Sequence, residues 1–268
     1  LFDAPEGIQP DSFRDPKVWK HENKYYMVVG ASRNNRGLAL IYESEDLYHW
    51  NFLNVLAESR GEWGFMWECP DFYQLGDKYV LTFSPMGSGD HTSVYLTGDF
   101  DYKTGKFDWH ISGEMDWGFD FYAPQTLEAP DGRRILFGWA GVSDSPYDNE
   151  PSIREGWQHS MTVPRELCWK GGILCQKPVR ELEALRKDEI VFEQGEAEIH
   201  GGAFDLVAER DIAGDIPVCI CFNQEIQITY GHGVVSMEFL NNTGSGRTIR
   251  KAKLDGLQNV RILIEVGR

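Results

Sequence analysis

The chain has 268 residues, 41% apolar and 13% aromatic, with 9 Trp, enough to bury a large core and too apolar for a disordered chain. Its 42 acidic against 26 basic residues leave a net charge of −16, which argues against nucleic acid or an anionic membrane as partner, since both select basic surfaces. No run approaches the roughly 18 apolar residues of a membrane helix and no signal peptide opens the sequence.

From the N-terminus to about residue 165 the sequence reads as short strands, aromatic and β-branched, divided by polar or glycine turns. The runs are Tyr25 to Ala31, Leu38 to Tyr42, Trp50 to Leu56, Tyr79 to Phe83, Ser93 to Leu96, Phe107 to Ile111 and Ile135 to Ala140. Pro16, Pro70 and Pro124 recur at an interval of 54 residues. After each comes a short alternating run, a turn and a more apolar run. The turns are Glu22-Asn23-Lys24, Gly76-Asp77-Lys78 and Pro130-Asp131-Gly132-Arg133, which carry hairpin chemistry. A period near 50 with about four strands per unit predicts β-propeller blades. Two units and part of a further one are visible, so the chain is expected to form part of a ring, with further blades preceding residue 1.

Gly141 to Gly156 is expected to be a rim loop. Pro178 to Asp188 is predicted to be a helix with an apolar stripe of Val179, Leu182 and Leu185. The expected organisation is therefore a propeller domain over residues 1–177, a linker helix over 178–188 and a β-sandwich over 189–268. The sandwich is predicted from strand alternation in Val218, Ile220 and Phe222, then Ile226, Ile228 and Tyr230, then Val235, Met237 and Phe239, then Ile262, Ile264 and Val266. The fold class is all-β.

The five cysteines are odd in number and irregularly spaced, unlike a secreted disulfide framework. Cys168 and Cys175 would face each other across a Gly171-Gly172 turn. Reduced core thiols and a cytoplasmic location are the expectation. No pair has zinc-site spacing, and no metal or cofactor is expected.

The first strands of propeller blades line a central channel, so Asp15 beside Pro16 and Glu68 near Pro70 are expected to converge. Arg14 supplies a forked donor next to them, and Trp67, Phe119, Phe121 and Tyr122 are candidate stacking walls for a sugar ring. Paired carboxylates beside aromatics suit general acid/base work on a saccharide. The bland alternative is that Asp15 and Glu68 only cap strand ends.

Phe13-Arg14-Asp15-Pro16, Trp67-Glu68-Cys69-Pro70-Asp71, Asp120-Phe121-Tyr122-Ala123-Pro124-Gln125, Gly138-Trp139, Gly156-Trp157-Gln158-His159 and Pro164-Arg165-Glu166-Leu167 together resemble glycoside hydrolase family 32, the β-fructofuranosidases. The resemblance spans about residues 10 to 190. It implies a five-bladed propeller followed by a β-sandwich, and a retaining hydrolase of terminal β-D-fructofuranosides such as sucrose, sucrose 6-phosphate or fructans. It implies Glu68 as acid/base and Asp15 as the residue that binds fructose hydroxyls and stabilises the transition state. Arg14 would assist, Cys69 would tune Glu68, and Trp67, Tyr122 and Gln125 would contact substrate. The family's nucleophile motif, Trp-x-Asn-Asp-Pro-Asn-Gly, does not occur in this chain, and Asp144 and Asp148 lack its context. The chain alone is therefore expected to be inactive, and to associate with itself or with a missing N-terminal segment. Two other readings stand beside this one: an arabinan- or xylan-acting five-bladed glycosidase, and a non-catalytic fructan-binding or structural remnant. Substrate profiling separates the first from a fructosidase, and saccharide titration beside an activity assay separates the second.

Overall fold

The computed structural model describes residues 3–89, 91–142, 149–191, 195–196, 198, 203–209, 217–254 and 259–265. Asp144, Asp148 and Val266 lie outside the described residues. The chain divides into two compact units. The first comprises Leu1–Asp116, Asp120–Ser143 and Ser160–Val179; the second comprises Trp117–Phe119, Asp144–His159 and Arg180–Arg268.

The first unit is built from three antiparallel sheets of the blade type. One holds β1 (Phe13–His21), β2 (Lys24–Arg33), β3 (Arg36–Ser44) and β4 (Asn51–Glu58), in that order. The next repeats the pattern with β5 (Met66–Leu75), β6 (Lys78–Met86), β7 (Val94–Asp101) and β8 (Lys106–Glu114). The third has β9 (Tyr122–Glu128) and β10 (Arg134–Ala140), and β10 also pairs with the short β11 (Ser160–Met161) and with β12 (Arg165–Lys170), which pairs with β13 (Ile173–Pro178). These are propeller blades, and the 54-residue period is the blade repeat.

Burial explains the sequence pattern. β2 and β3 are covered on both faces, so they read as continuous apolar runs rather than alternating ones. Val28 and Ile41 pack with Phe72, Leu81 and Phe83 of the next blade. Met27, Val29, Leu38 and Leu40 form another cluster, joined by Ile8 from the N-terminal segment. Tyr73, Val80 and Tyr95 in turn pack with Leu136, Leu167 and Leu174 of the third blade.

Two local expectations need correction. The stretch predicted as a helix contains only a 3-10 segment, Arg180–Leu185. Pro178 instead ends β13 opposite Arg165, and Val179 N–H donates to Pro164 O at 3.0 Å. Of the expected stripe Val179 is buried, but Leu185 at its far end is 71% exposed. The cysteines are not core thiols either. Cys168 does face Cys175 across the Gly171-Gly172 turn, but Cys168, Cys219 and Cys221 are exposed and all five are free. A short helix, α1 (Glu150–Arg154), lies in the loop where none was expected.

In the second unit β14 (Ala203–Glu209) pairs with β19 (Asn259–Glu265). β15 (Val218–Phe222), β16 (Ile226–Gly231), β17 (Val234–Phe239) and β18 (Ile249–Lys253) form a four-stranded sheet. Val218, Ile220 and Phe222 share its more covered face, while Cys219 and Cys221 point out. No helix among the described residues is long and apolar enough to cross a membrane.

Candidate active site

β1, β5 and β9 open successive blades and lie beside one another. Each carries a residue with left-handed backbone: Asp15 (φ 62°), Cys69 (φ 49°) and Ala123 (φ 49°). Each directly precedes one of the repeated prolines. Proline pushes its predecessor towards extended geometry, and a left-handed L-residue costs roughly 1–2 kcal/mol. Three copies of this conformation at one repeat position are a feature of the design. The strand ladders slip at the same places, between Arg14 and Lys17, between Glu68 and Asp71, and on β10 between Phe137 and Trp139. Such bulges re-aim the side chains beside them.

The residues just before the left-handed positions are Arg14, Glu68 and Tyr122, and their side chains meet. Arg14 donates from Nε at 3.1 Å and Nη2 at 2.8 Å to Glu68 Oε1. The Tyr122 hydroxyl donates to Glu68 Oε2 at 2.5 Å. Each pair is separated by 54 residues. One carboxylate is thus gripped from both sides by groups in equivalent positions of the two neighbouring blades. The Glu68 side chain is 19% exposed and that of Arg14 34%, so the ion pair stays open to an incoming molecule. Burial, and then the bond to Glu68, push the Tyr122 phenol well above its ordinary pKa. It remains a proton donor.

Asp15 faces the second blade. Its Oδ2 accepts the Cys69 backbone N–H at 2.9 Å and lies 3.6 Å from Cys69 Sγ. This carboxylate satisfies the N–H of the left-handed residue next door. Ala123 N–H finds a different acceptor, Ser84 Oγ at 2.9 Å. Burial, and then the Asp15 charge, push the Cys69 thiol up to about 12. It stays a protonated thiol at neutral pH and is no nucleophile.

Two of the residues expected as walls, Trp67 and Phe121, are buried. Trp67 is 0% exposed; its ring stacks on Phe83 at 3.8 Å and its Nε1–H donates to Trp63 O at 2.7 Å. A Cβ at Gly37 would lie 2.2 Å from the Trp67 ring, and one at Gly30 2.0 Å from Trp67 O. Trp67 is a core residue fitted between two glycines and cannot line a sugar site. Phe121, 1% exposed, lies under the Arg165 guanidinium at 4.7 Å. Gln125 is turned inward: its Nε2 donates to Cys69 O at 2.9 Å and Pro124 O at 3.1 Å, and its Oε1 accepts from Lys17 Nζ at 3.1 Å.

Sequence reasoning overlooked Lys17 and Asp71, whose signal was the repeat itself, one position after each proline. Asp71 is 1% exposed and accepts Thr126 N–H at 2.6 Å and Thr126 Oγ1–H at 2.8 Å, with Lys17 Nζ 3.6 Å away.

The geometry is matched by similarity to known proteins. The model of the glycosyl hydrolases family 32 N-terminal domain matches residues 1–178. The chain is 43% identical over 199 residues to the sucrose-6-phosphate hydrolase of Salmonella typhimurium, covering 69% of this chain and 42% of that protein. It is 35% identical to the sucrose-6-phosphate hydrolase of Bacillus subtilis (strain 168), covering 98% of this chain and 59% of that protein. Among solved structures, the Bombyx mori GH32 β-fructofuranosidase BmSUC1 superposes with a TM-score of 0.83 at 31% identity, over 98% of this chain and 58% of that one. The chain therefore spans about half the length of the curated relatives it matches. Three blades whose bulged first strands bring Arg14, Glu68 and Tyr122 together, with a family match over most of the same residues, establish that this chain belongs to glycosyl hydrolase family 32.

Proposed function

We propose that this chain supplies the acid/base side of a retaining β-fructofuranosidase site, cleaving terminal β-D-fructofuranosyl units from sucrose, sucrose 6-phosphate or a fructan. The observation that carries this reading is the Arg14–Glu68–Tyr122 convergence. Glu68 protonates the departing glycosidic oxygen and then removes a proton from the attacking water. Arg14 and Tyr122 hold its two oxygens in place, so little ordering remains for the reaction itself. Asp15, anchored by Cys69 N–H, binds fructosyl hydroxyls and balances positive charge at the anomeric carbon. The Cys69 thiol sits beside it as a neutral neighbour.

Retention needs a second carboxylate about 5–5.5 Å from the acid/base. The family's nucleophile motif is not in the 268-residue sequence, and we assign that role to a further blade of the complete enzyme. It follows that these 268 residues alone release no fructose, and that they associate with a copy of themselves or with the blades that complete the ring. The sucrose-6-phosphate hydrolases among the relatives make sucrose 6-phosphate the first substrate to assay.

The test compares fructose release from sucrose, sucrose 6-phosphate and inulin by the complete enzyme and by its Glu68→Gln variant, with light scattering on the 268-residue chain. Glu68→Gln is expected to lower kcat by at least about 10²-fold with little change in saccharide binding. Full turnover by Glu68→Gln, or robust turnover by a monomer of this chain alone, refutes the reading.

A further inference from the structure

The repeat that delivers Arg14, Glu68 and Tyr122 also delivers a second row. One residue after each proline stand Lys17, Asp71 and Gln125, and these side chains meet as well. Lys17 Nζ donates to Gln125 Oε1 at 3.1 Å and to Thr126 O at 2.9 Å, and lies 3.6 Å from Asp71 Oδ2. Asp71 is anchored in turn by Thr126 N–H and Oγ1–H. Gln125 closes the circuit by donating from Nε2 to Cys69 O at 2.9 Å.

That last bond links the row to the chemistry. Cys69 is the left-handed residue that follows Glu68, and its carbonyl sits within the bulge that aims Glu68. A Gln amide can rotate by half a turn, exchanging its oxygen and nitrogen, and neighbours decide which way it lies. A lysine ammonium only donates, so it holds Oε1 towards itself and leaves Nε2 for Cys69 O. The opposite rotamer would set an amide oxygen against a carbonyl oxygen and an NH₂ group against an ammonium. The buried Asp71 carboxylate holds Lys17 there, and its own burial is tolerable because three donors face it.

We propose that Lys17, held by Asp71, is a positioning residue for Glu68: it fixes the Gln125 amide and thereby the Cys69 peptide on which Glu68 is mounted. The proposal rests on the reading of Glu68 as the acid/base. It adds a layer beneath the reacting groups that touches none of them. A displacement of about 1 Å at a reacting group costs on the order of 10²-fold in rate.

The test uses the complete enzyme and the variants Lys17→Met, Lys17→Arg, Gln125→Leu and the double Lys17→Met/Gln125→Leu. Lys17→Met is expected to lower kcat by about 10- to 100-fold with KM within about twofold, and Lys17→Arg is expected to recover most of the loss. The double variant is expected to lose no more than Gln125→Leu alone, because the two residues act through one bond. A second arm needs no turnover. With 3-fluorotyrosine incorporated, the fluorine signal that Tyr122→Phe removes reports the Tyr122–Glu68 bond. Lys17→Met and Gln125→Leu are expected to move this signal in the direction that Glu68→Gln moves it, and Lys24→Met, which breaks only an ion pair with Glu43, is expected to leave it in place. An unmoved fluorine signal together with kcat within twofold, whatever the change in unfolding midpoint, overturns the proposal. If the wild type cleaves no fructoside, the acid/base reading fails and the fluorine arm alone decides whether Lys17 positions Glu68.

Discussion

Replacing Trp67 by Phe separates a core residue from a sugar wall. The indole is 0% exposed, stacks on Phe83 and donates to Trp63 O at 2.7 Å. Phenylalanine keeps an aromatic ring but loses this donor, and the loss of one such hydrogen bond costs about 0.5–1.5 kcal/mol. The smaller ring also leaves a void. Trimming Trp to Ala costs roughly 3–5 kcal/mol, and keeping a phenyl ring should reduce that packing loss to about 1–2 kcal/mol. The sum, about 1.5–3.5 kcal/mol, is a sizeable share of the roughly 5–15 kcal/mol that holds a domain folded. Urea unfolding followed by circular dichroism, with m unchanged, measures the loss. KM for a fructoside should stay within about twofold, since Trp67 presents no face to solvent. A stability loss below about 1 kcal/mol together with a several-fold rise in KM would place the ring against substrate and refute the burial argument.

Two further outcomes are expected. Iodoacetamide at pH 8 should label Cys168, Cys219 and Cys221 well before Cys69, because those thiols are exposed while burial beside Asp15 pushes the Cys69 thiol up to about 12; peptide mass spectrometry reads the order, and early labelling of Cys69 contradicts it. In the second unit, hydrogen bonds from Arg261 and Arg186 hold the Asp205 carboxyl below its ordinary value. A depressed carboxyl stabilises the fold above the unfolded value of about 3.9 and loses that contribution as pH falls through the folded one. Asp205→Asn should therefore lower the urea midpoint at pH 7, and its gap to wild type should close below about pH 4; a gap independent of pH would show that Asp205 acts otherwise.

The fold was legible because the prolines punctuate it. Pro16, Pro70 and Pro124 mark the blade repeat, and strands buried on both faces, such as β2, announce themselves as unbroken apolar runs. The site was legible by residue but not by register. The sequence reading made Asp15 and Glu68 the converging pair; by distance from proline Arg14 is the equivalent of Glu68 and Asp15 the equivalent of Cys69, and the side chains join as Arg14 to Glu68 and Asp15 to the Cys69 N–H. Position relative to proline carried that information, but the left-handed turn that reverses neighbouring side chains is a backbone property that residue type alone does not announce. Trp67 failed for a related reason. Next to Glu68 it seemed destined for the site, yet adjacent residues on a strand point to opposite faces, and Gly30 and Gly37 open room for it in the core. The expected helix is only a 3-10 segment whose last leucine, Leu185, is 71% exposed, so periodicity alone did not sustain it.

Leaving-group dependence in the Glu68→Gln variant tests the central claim most directly. Sucrose needs a proton on its departing oxygen, whereas β-D-fructofuranosyl fluoride needs little such help. If Glu68 is the acid/base, the variant of the complete enzyme loses sucrose hydrolysis by about 10²-fold or more yet still forms the fructosyl-enzyme from the fluoride, and azide restores turnover by yielding fructosyl azide. Equal loss on both substrates, with no azide product, would contradict the assignment of Glu68.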